Sequence, residues 1–358
     1  MNKLFILFFY LIFTSCIISQ ENNSSVDFYG KKNYQIEDSL KYTYSMILDD
    51  LTYLYANYTE WIHPVEVGKS EFGLELATIR IGYDKPKTAC VFIVGNIHAR
   101  EDYSSKLVMK FLNVFLLNIT NQDNTYPKAK QFLDSVDIYI MPVANPDGLK
   151  IAQLDFLGIE DSFNLYKDKI LLIDTYEEWK ANGKGIDLNA TFDDGNHYLK
   201  HGGNFHSIPC SEGYKGLFPA EPKETQAIQN FIFKIKPLIT VSFHTKGNVI
   251  YWADKGTHKY FKEIDTKINR KVSIASKLAL TSISKYPKIY GCGLENYIRS
   301  KYHLIASCVE LDSPNGGRIQ SPDNEFNSRV WNKVFLVPYI YIENAILYKK
   351  EISKIVIQ

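Results

Sequence analysis

Two histidines and two glutamates stand at the ends of apolar runs, and that set of side chains can hold a divalent metal and move a proton. In "GNIHARED", residues 95–102, His98 and Glu101 are three positions apart, directly after "ACVFIV". His244 closes the run "LITVSF", and Glu310 closes "LIASCVEL". A catalytic zinc takes three protein ligands and keeps one position for water, and two histidines with a glutamate form a suitable set. A further carboxylate beside that position can take and return a proton. A lone His-x-x-Glu is weak evidence, and an ordinary polar loop after a strand gives the same four letters.

The elements that must position these residues are legible in the spacing. Apolar runs at "TACVFIVGN", "VDIYIMPVAN", "PLITVSFHT" and "LIASCVELD" read as strands. Segments of helical periodicity lie between them, among them "SSKLVMKFLNVFLLNI" and "PKETQAIQNFIFKI". Continuous apolar strands alternating with helices indicate an α/β fold with a mixed, mostly parallel sheet, covered by helices on both faces. Ligands in such folds bind beyond the carboxyl ends of the strands. Three strand ends therefore deliver the two histidines and two glutamates to one edge.

Length and composition fit one enzyme-sized domain. The chain has 358 residues and a formal net charge of +1, with no basic face to suggest nucleic acid. Residues 1–20, "MNKLFILFFYLIFTSCIISQ", read as a signal peptide, too short for a confident membrane span. Cys16 follows an apolar stretch and small residues, as a lipid-acceptor cysteine does, although Phe13 fits that pattern poorly. The remaining chain is expected to be one domain over residues 34–350, monomeric, exported or lipid-anchored, without a transmembrane helix. Cys90 and Cys308 lie in strand-like runs and read as buried thiols; Cys210 and Cys292 lie in loops, and a disulfide between them is left open. His197, His201, His206, His258 and His303 read as surface or loop histidines.

The segments "GNIHARED", "MPVANPDG", "WKANGKGIDLN", "GLFPAEPKETQAI", "SFHTKGNVIYW" and "ASCVEL" together resemble the zinc carboxypeptidase family in order and approximate spacing, over nearly all of the chain from Tyr34 to Tyr348. The "WKAN…GIDLN" and "HTKGNVIYW" forms look most like the bacterial branch that includes γ-D-glutamyl-diamino acid peptidases of the cell wall. The resemblance implies a single-domain fold with about eight strands and one zinc per chain held by His98, Glu101 and His244. It also implies that Glu310 is general base and then acid, that Asp187 orients the first histidine, and that Lys180 stands where many relatives carry an oxyanion-stabilising arginine. Arg100 and Asn189 match substrate contacts, Glu295 falls where the side chain on the leaving side is read, and Tyr290 is nearest to a capping tyrosine.

One departure bears on substrate. Relatives usually read Asn-Arg where this chain reads Asn189-Ala190, and that arginine clamps a free C-terminal carboxylate. Its loss removes charge-assisted hydrogen bonds worth roughly 1.5–3 kcal/mol each, which weakens strict exopeptidase recognition. The expected substrate is a wall peptide or muropeptide. The alternatives are removal of basic C-terminal residues, which an acid at Glu295 favours, and a peptide-binding homologue that has lost turnover.

Overall fold

The computed structural model describes residues 41–201, 205–254, 257, 262–281, 291–312 and 321–356. Cys16, His258 and Tyr290 lie outside the described residues. Eight strands form one sheet: β1 (Ile62–Val65), β2 (Thr78–Ile81), β3 (Cys90–Val94), β4 (Asp137–Met141), β5 (Ile239–Thr245), β6 (Val249–Tyr251), β7 (Ala279–Leu280) and β8 (Ile305–Leu311). Their order is β1-β2-β4-β3-β5-β8-β6-β7. The pairs β4–β3, β3–β5, β5–β8 and β6–β7 are parallel, and the remaining three are antiparallel. This is the mixed, mostly parallel sheet expected from the apolar runs.

The central strands are buried on both faces because successive side chains point to opposite sides and every residue of β3, β4 and β5 is buried. Among the described residues the helices of seven residues or more are α1 (Tyr44–Asn57), α2 (Asp102–Ile119), α3 (Pro146–Ala152), α4 (Glu160–Tyr166), α5 (Lys223–Ile235), α6 (Lys262–Ser276), α7 (Leu294–Tyr302), α8 (Val337–Leu347) and α9 (Lys349–Val356). Phe92 on β3 and its register partner Tyr139 on β4 both meet Phe231 of α5 edge-on, at 5.4 Å between ring centroids. Helix α2 joins α8 through Phe111, Phe115 and Tyr339. Each large side chain buried this way contributes about 1.5–3 kcal/mol before its entropy is counted. Among the described residues no helix is long and apolar enough to cross a membrane. The four described cysteines are free and buried, so Cys210 and Cys292 are not joined.

Candidate active site

The turn after β3 begins with a glycine for a steric reason. A Cβ on Gly95 would lie 2.6 Å from the Pro142 carbonyl oxygen, and Asn96 then takes a left-handed backbone at φ 50°, which asparagine tolerates. The chain turns sharply enough for His98 to lie at the sheet edge and for Glu101 to stand directly before α2. The Asn96 amide donates to the carbonyls of His98 and Ala99, which fixes the loop. His244 and Glu310 are register partners on β5 and β8, so parallel pairing alone puts them side by side.

His98, Glu101 and His244 converge, each less than a tenth exposed. Glu101 Oε1 lies 2.8 Å from His98 Nδ1, and its Oε2 lies 2.9 Å from His244 Nδ1 and accepts from the Thr245 backbone N–H at 3.1 Å. The two Nδ1 atoms are 3.2 Å apart. One nitrogen from each ring and a carboxylate oxygen thus lie within 4.8 Å of one another. Burial would lower the pKa of His244, but its hydrogen bond to Glu101 and the charges of Glu101, Glu310 and Glu295 raise it to about 9. Burial would raise Glu101, and His98 and His244 hold it below the usual carboxylate range instead. The cluster carries an excess of negative charge facing two ring nitrogens, which suits a bound divalent cation, and the nitrogen and oxygen donors suit zinc.

Around this centre the charges are ordered. Asp187 Oδ1 lies 3.5 Å from His98 Nε2, and its Oδ2 pairs with Lys180 Nζ at 3.0 Å. Burial opposes ionisation of both partners, yet each favours the other's charge: Asp187 is held below the usual range and Lys180 is raised. Glu310 Oε2 is buried with no hydrogen-bond partner among the described residues. Burial first, then the Glu101 charge, raises the Glu310 carboxyl to about 7.

A cleft of about 600 Å³ opens beside these groups, lined in part by His98, Lys180, Asp187, Asn189, Ala190, Glu295 and Glu310. Most residues singled out from the sequence meet there. Asn189 is held by the Leu294 backbone N–H, which donates to its side-chain oxygen at 3.1 Å. Glu295 lies in the first turn of α7 and accepts a short hydrogen bond from the Ser242 hydroxyl. Arg100 donates to the Glu178 carbonyl at 2.8 Å and to both oxygens of Glu212, a residue of the cleft wall, at 3.1 and 3.3 Å. Arg100 is not among the residues lining the cleft.

Several lining residues escaped the sequence reading. Glu212 pairs with Arg100 and stands 3.9 Å from Lys180, but nothing about "CSEGY" marks it. Cys308 was detectable, because it precedes Glu310 by two positions on β8 and therefore shares its face. A nitrogen of His244, a carboxylate oxygen of Glu295 and the Cys308 sulfur also lie within 4.8 Å of one another, so this part of the cleft wall is polar. Arg299, one turn after Glu295, lines the cleft and pairs with Asp254 at 3.0 Å. His197, expected at the surface or in a loop, is in a short 3-10 turn but is buried.

Comparison with known proteins gives the same picture. The family described as zinc carboxypeptidase matches residues 47–318. The γ-D-glutamyl-L-diamino acid endopeptidase 1 of Lysinibacillus sphaericus is 26% identical over 292 residues, covering 80% of this chain and 69% of that one. Human carboxypeptidase A6 is 25% identical over 240 residues, 66% of this chain, and this chain spans about half (49%) of its length. Among solved structures, thrombin activatable fibrinolysis inhibitor superposes with a TM-score of 0.68 at 17% identity, covering 87% of this chain and 77% of that one, a likeness of fold.

Proposed function

The chain belongs to the zinc carboxypeptidase family, and from that premise we propose that it hydrolyses an amide bond near the end of a cell-wall peptide, at a γ-D-glutamyl-diamino acid linkage. The observation that carries the catalytic part is the convergence of His98, Glu101 and His244 beside Glu310, whose Oε2 has no hydrogen-bond partner among the described residues. His98, Glu101 and His244 would hold the zinc, which would supply Lewis-acid polarisation and a water of lowered pKa.

The chain's own groups do the rest. Glu310 Oε2 takes a proton from the attacking water and gives it to the departing amine nitrogen. Lys180 places a positive charge where the carbonyl oxygen becomes anionic; the same lysine is held by Asp187, so it is oriented before substrate arrives. Asp187 faces Nε2 of His98 and fixes which ring nitrogen is left for the metal. Asn189 and Glu295 contact the leaving side, where Glu295 takes an amine.

The wall-peptide reading draws on the Lysinibacillus relative and on Ala190, which stands where the resemblance puts the carboxylate-clamping arginine of terminal-residue enzymes. Such a substrate places the protein outside the cytoplasm. Glu295 favours a second reading, removal of C-terminal lysine or arginine. Zinc-loaded protein incubated with a γ-D-glutamyl-diaminopimelate muropeptide and with a peptide ending in lysine, each with a chelator control, separates the two by product mass. Chelator-sensitive scission of the γ-D-glutamyl bond is the expected result. Release of terminal lysine alone would replace it with the basic carboxypeptidase, and no scission of either by zinc-replete protein would leave a binding homologue.

A further inference from the structure

The parallel strands that end at the cleft begin at a second cavity, of about 740 Å³, reached by Ala89 and Cys90 at the start of β3 and by Leu238 just before β5. Among the described residues its lining contains Arg80, Lys87, Lys234, Lys236 and Lys349 and no carboxylate. In a chain whose formal charge is only +1, that is a marked local excess. Arg80 is offset by Asp137 at 3.1 Å, so the excess rests on the four lysines. They come from three segments far apart in sequence, whereas lysines that merely complement a helix terminus would come from one.

The charges surround an apolar floor. Phe231, Tyr139, Ile235 and Leu238 supply it, with the Phe231 and Tyr139 rings packed edge-on. Lys236 holds a left-handed backbone, φ 42°, at the end of α5, where its N–H still bonds the Ile232 carbonyl at 2.8 Å. Lys349 is steadied by the Ser135 carbonyl at 3.0 Å. The volume is that of a small-molecule site, for which about 300–1,000 Å³ is usual.

We propose that this cavity is a second binding site, for a small amphiphilic anion: an aliphatic or aromatic body carrying a carboxylate or phosphate. The body lies on Phe231 and Leu238, and the head meets Lys87, Lys234 and Lys236. The cleft lies at the opposite ends of the same strands, so this ligand does not compete with peptide.

Calorimetric titration of the full chain with decanoate, decyl phosphate, decanol and inorganic phosphate, below micelle-forming concentrations, tests it. The two anionic chains are expected to bind at least tenfold more tightly than decanol or inorganic phosphate. The double variant Lys234→Glu, Lys236→Glu should lose that margin while thermal unfolding and zinc content stay unchanged. Decanol binding as well as decanoate, phosphate as well as decyl phosphate, or undiminished binding to the double variant would each overturn the proposal. Sedimentation with phosphatidylglycerol vesicles distinguishes the source, since binding to vesicles without binding to the free chains replaces a small ligand with a membrane surface.

Discussion

Glu101 and Asp187 in the cleft, and Asp147 and Glu224 beneath the loop at residues 67–76, are all buried carboxylates, and the two groups hold their protons differently. Burial would raise all four. In the cleft it is outweighed: His98 and His244 flank Glu101, and Lys180 and His98 flank Asp187, so both stay ionised. In the second cluster it prevails. Asp147 accepts from the Ser70 hydroxyl at 2.5 Å and the Phe72 backbone at 2.9 Å, yet burial carries its pKa to about 6. Glu224 accepts from the Glu71 backbone at 3.1 Å, and burial together with the Asp147 charge carries it to about 8. The difference separates a cluster built to hold cations from one that ties loops together. The cleft also keeps an acceptor, Glu310 Oε2, for something still to bind.

The largest expected effect is loss of the metal. His244→Ala should leave the purified protein nearly zinc-free by elemental analysis and inactive, with its thermal transition still cooperative. Next comes Glu310→Gln, which should retain zinc and lower kcat by about 10²–10⁴-fold, the usual worth of a positioned proton-transfer group. A smaller change at that position would break the assignment of Glu310. Asp187→Asn should weaken zinc binding by about 10–100-fold in a chelator competition, as loss of a partner to a ligand histidine does. If it leaves zinc affinity unchanged, the 3.5 Å contact to His98 is incidental.

The smallest effect sharpens the other half of the comparison. The folded state holds the Glu224 proton more tightly than the ordinary carboxyl value of 4.5, so its stabilising contribution is complete below that pH and is lost as pH rises toward about 8. Denaturant unfolding across this window should show this group's contribution to stability falling as pH rises. Glu224→Gln should flatten that part of the profile and leave kcat close to the parent value. A loss of activity as large as that of Glu310→Gln, in a folded protein, would erase the distinction between the two clusters.

The metal-ligand candidates and the fold class were legible because they depend on local order. A buried parallel strand is a short apolar run, its carboxyl end is where ligands gather, and His98 with Glu101 fall on one tight turn at such an end. The register that sets His244 beside Glu310 belongs to the β5–β8 pairing and is not specified by either run alone. Glu212 and Arg299 carry no such local mark, since their places come from a loop and a helix folded in from elsewhere.

The sequence by itself determined β3, β4, β5 and β8 and the four side chains at the ends of three of them, because each follows from residue type and short-range spacing; that Ala190 stands in place of an arginine came from the resemblance to the zinc carboxypeptidases. Only the tertiary structure decided that Arg100 pairs with Glu212 of the cleft wall, and that Cys308 joins that wall. It alone brought lysines from three segments to the other end of the same strands. Those outcomes depend on contacts between residues tens to hundreds of positions apart, such as Arg100 with Glu212, and packing geometry fixes them where no local pattern does.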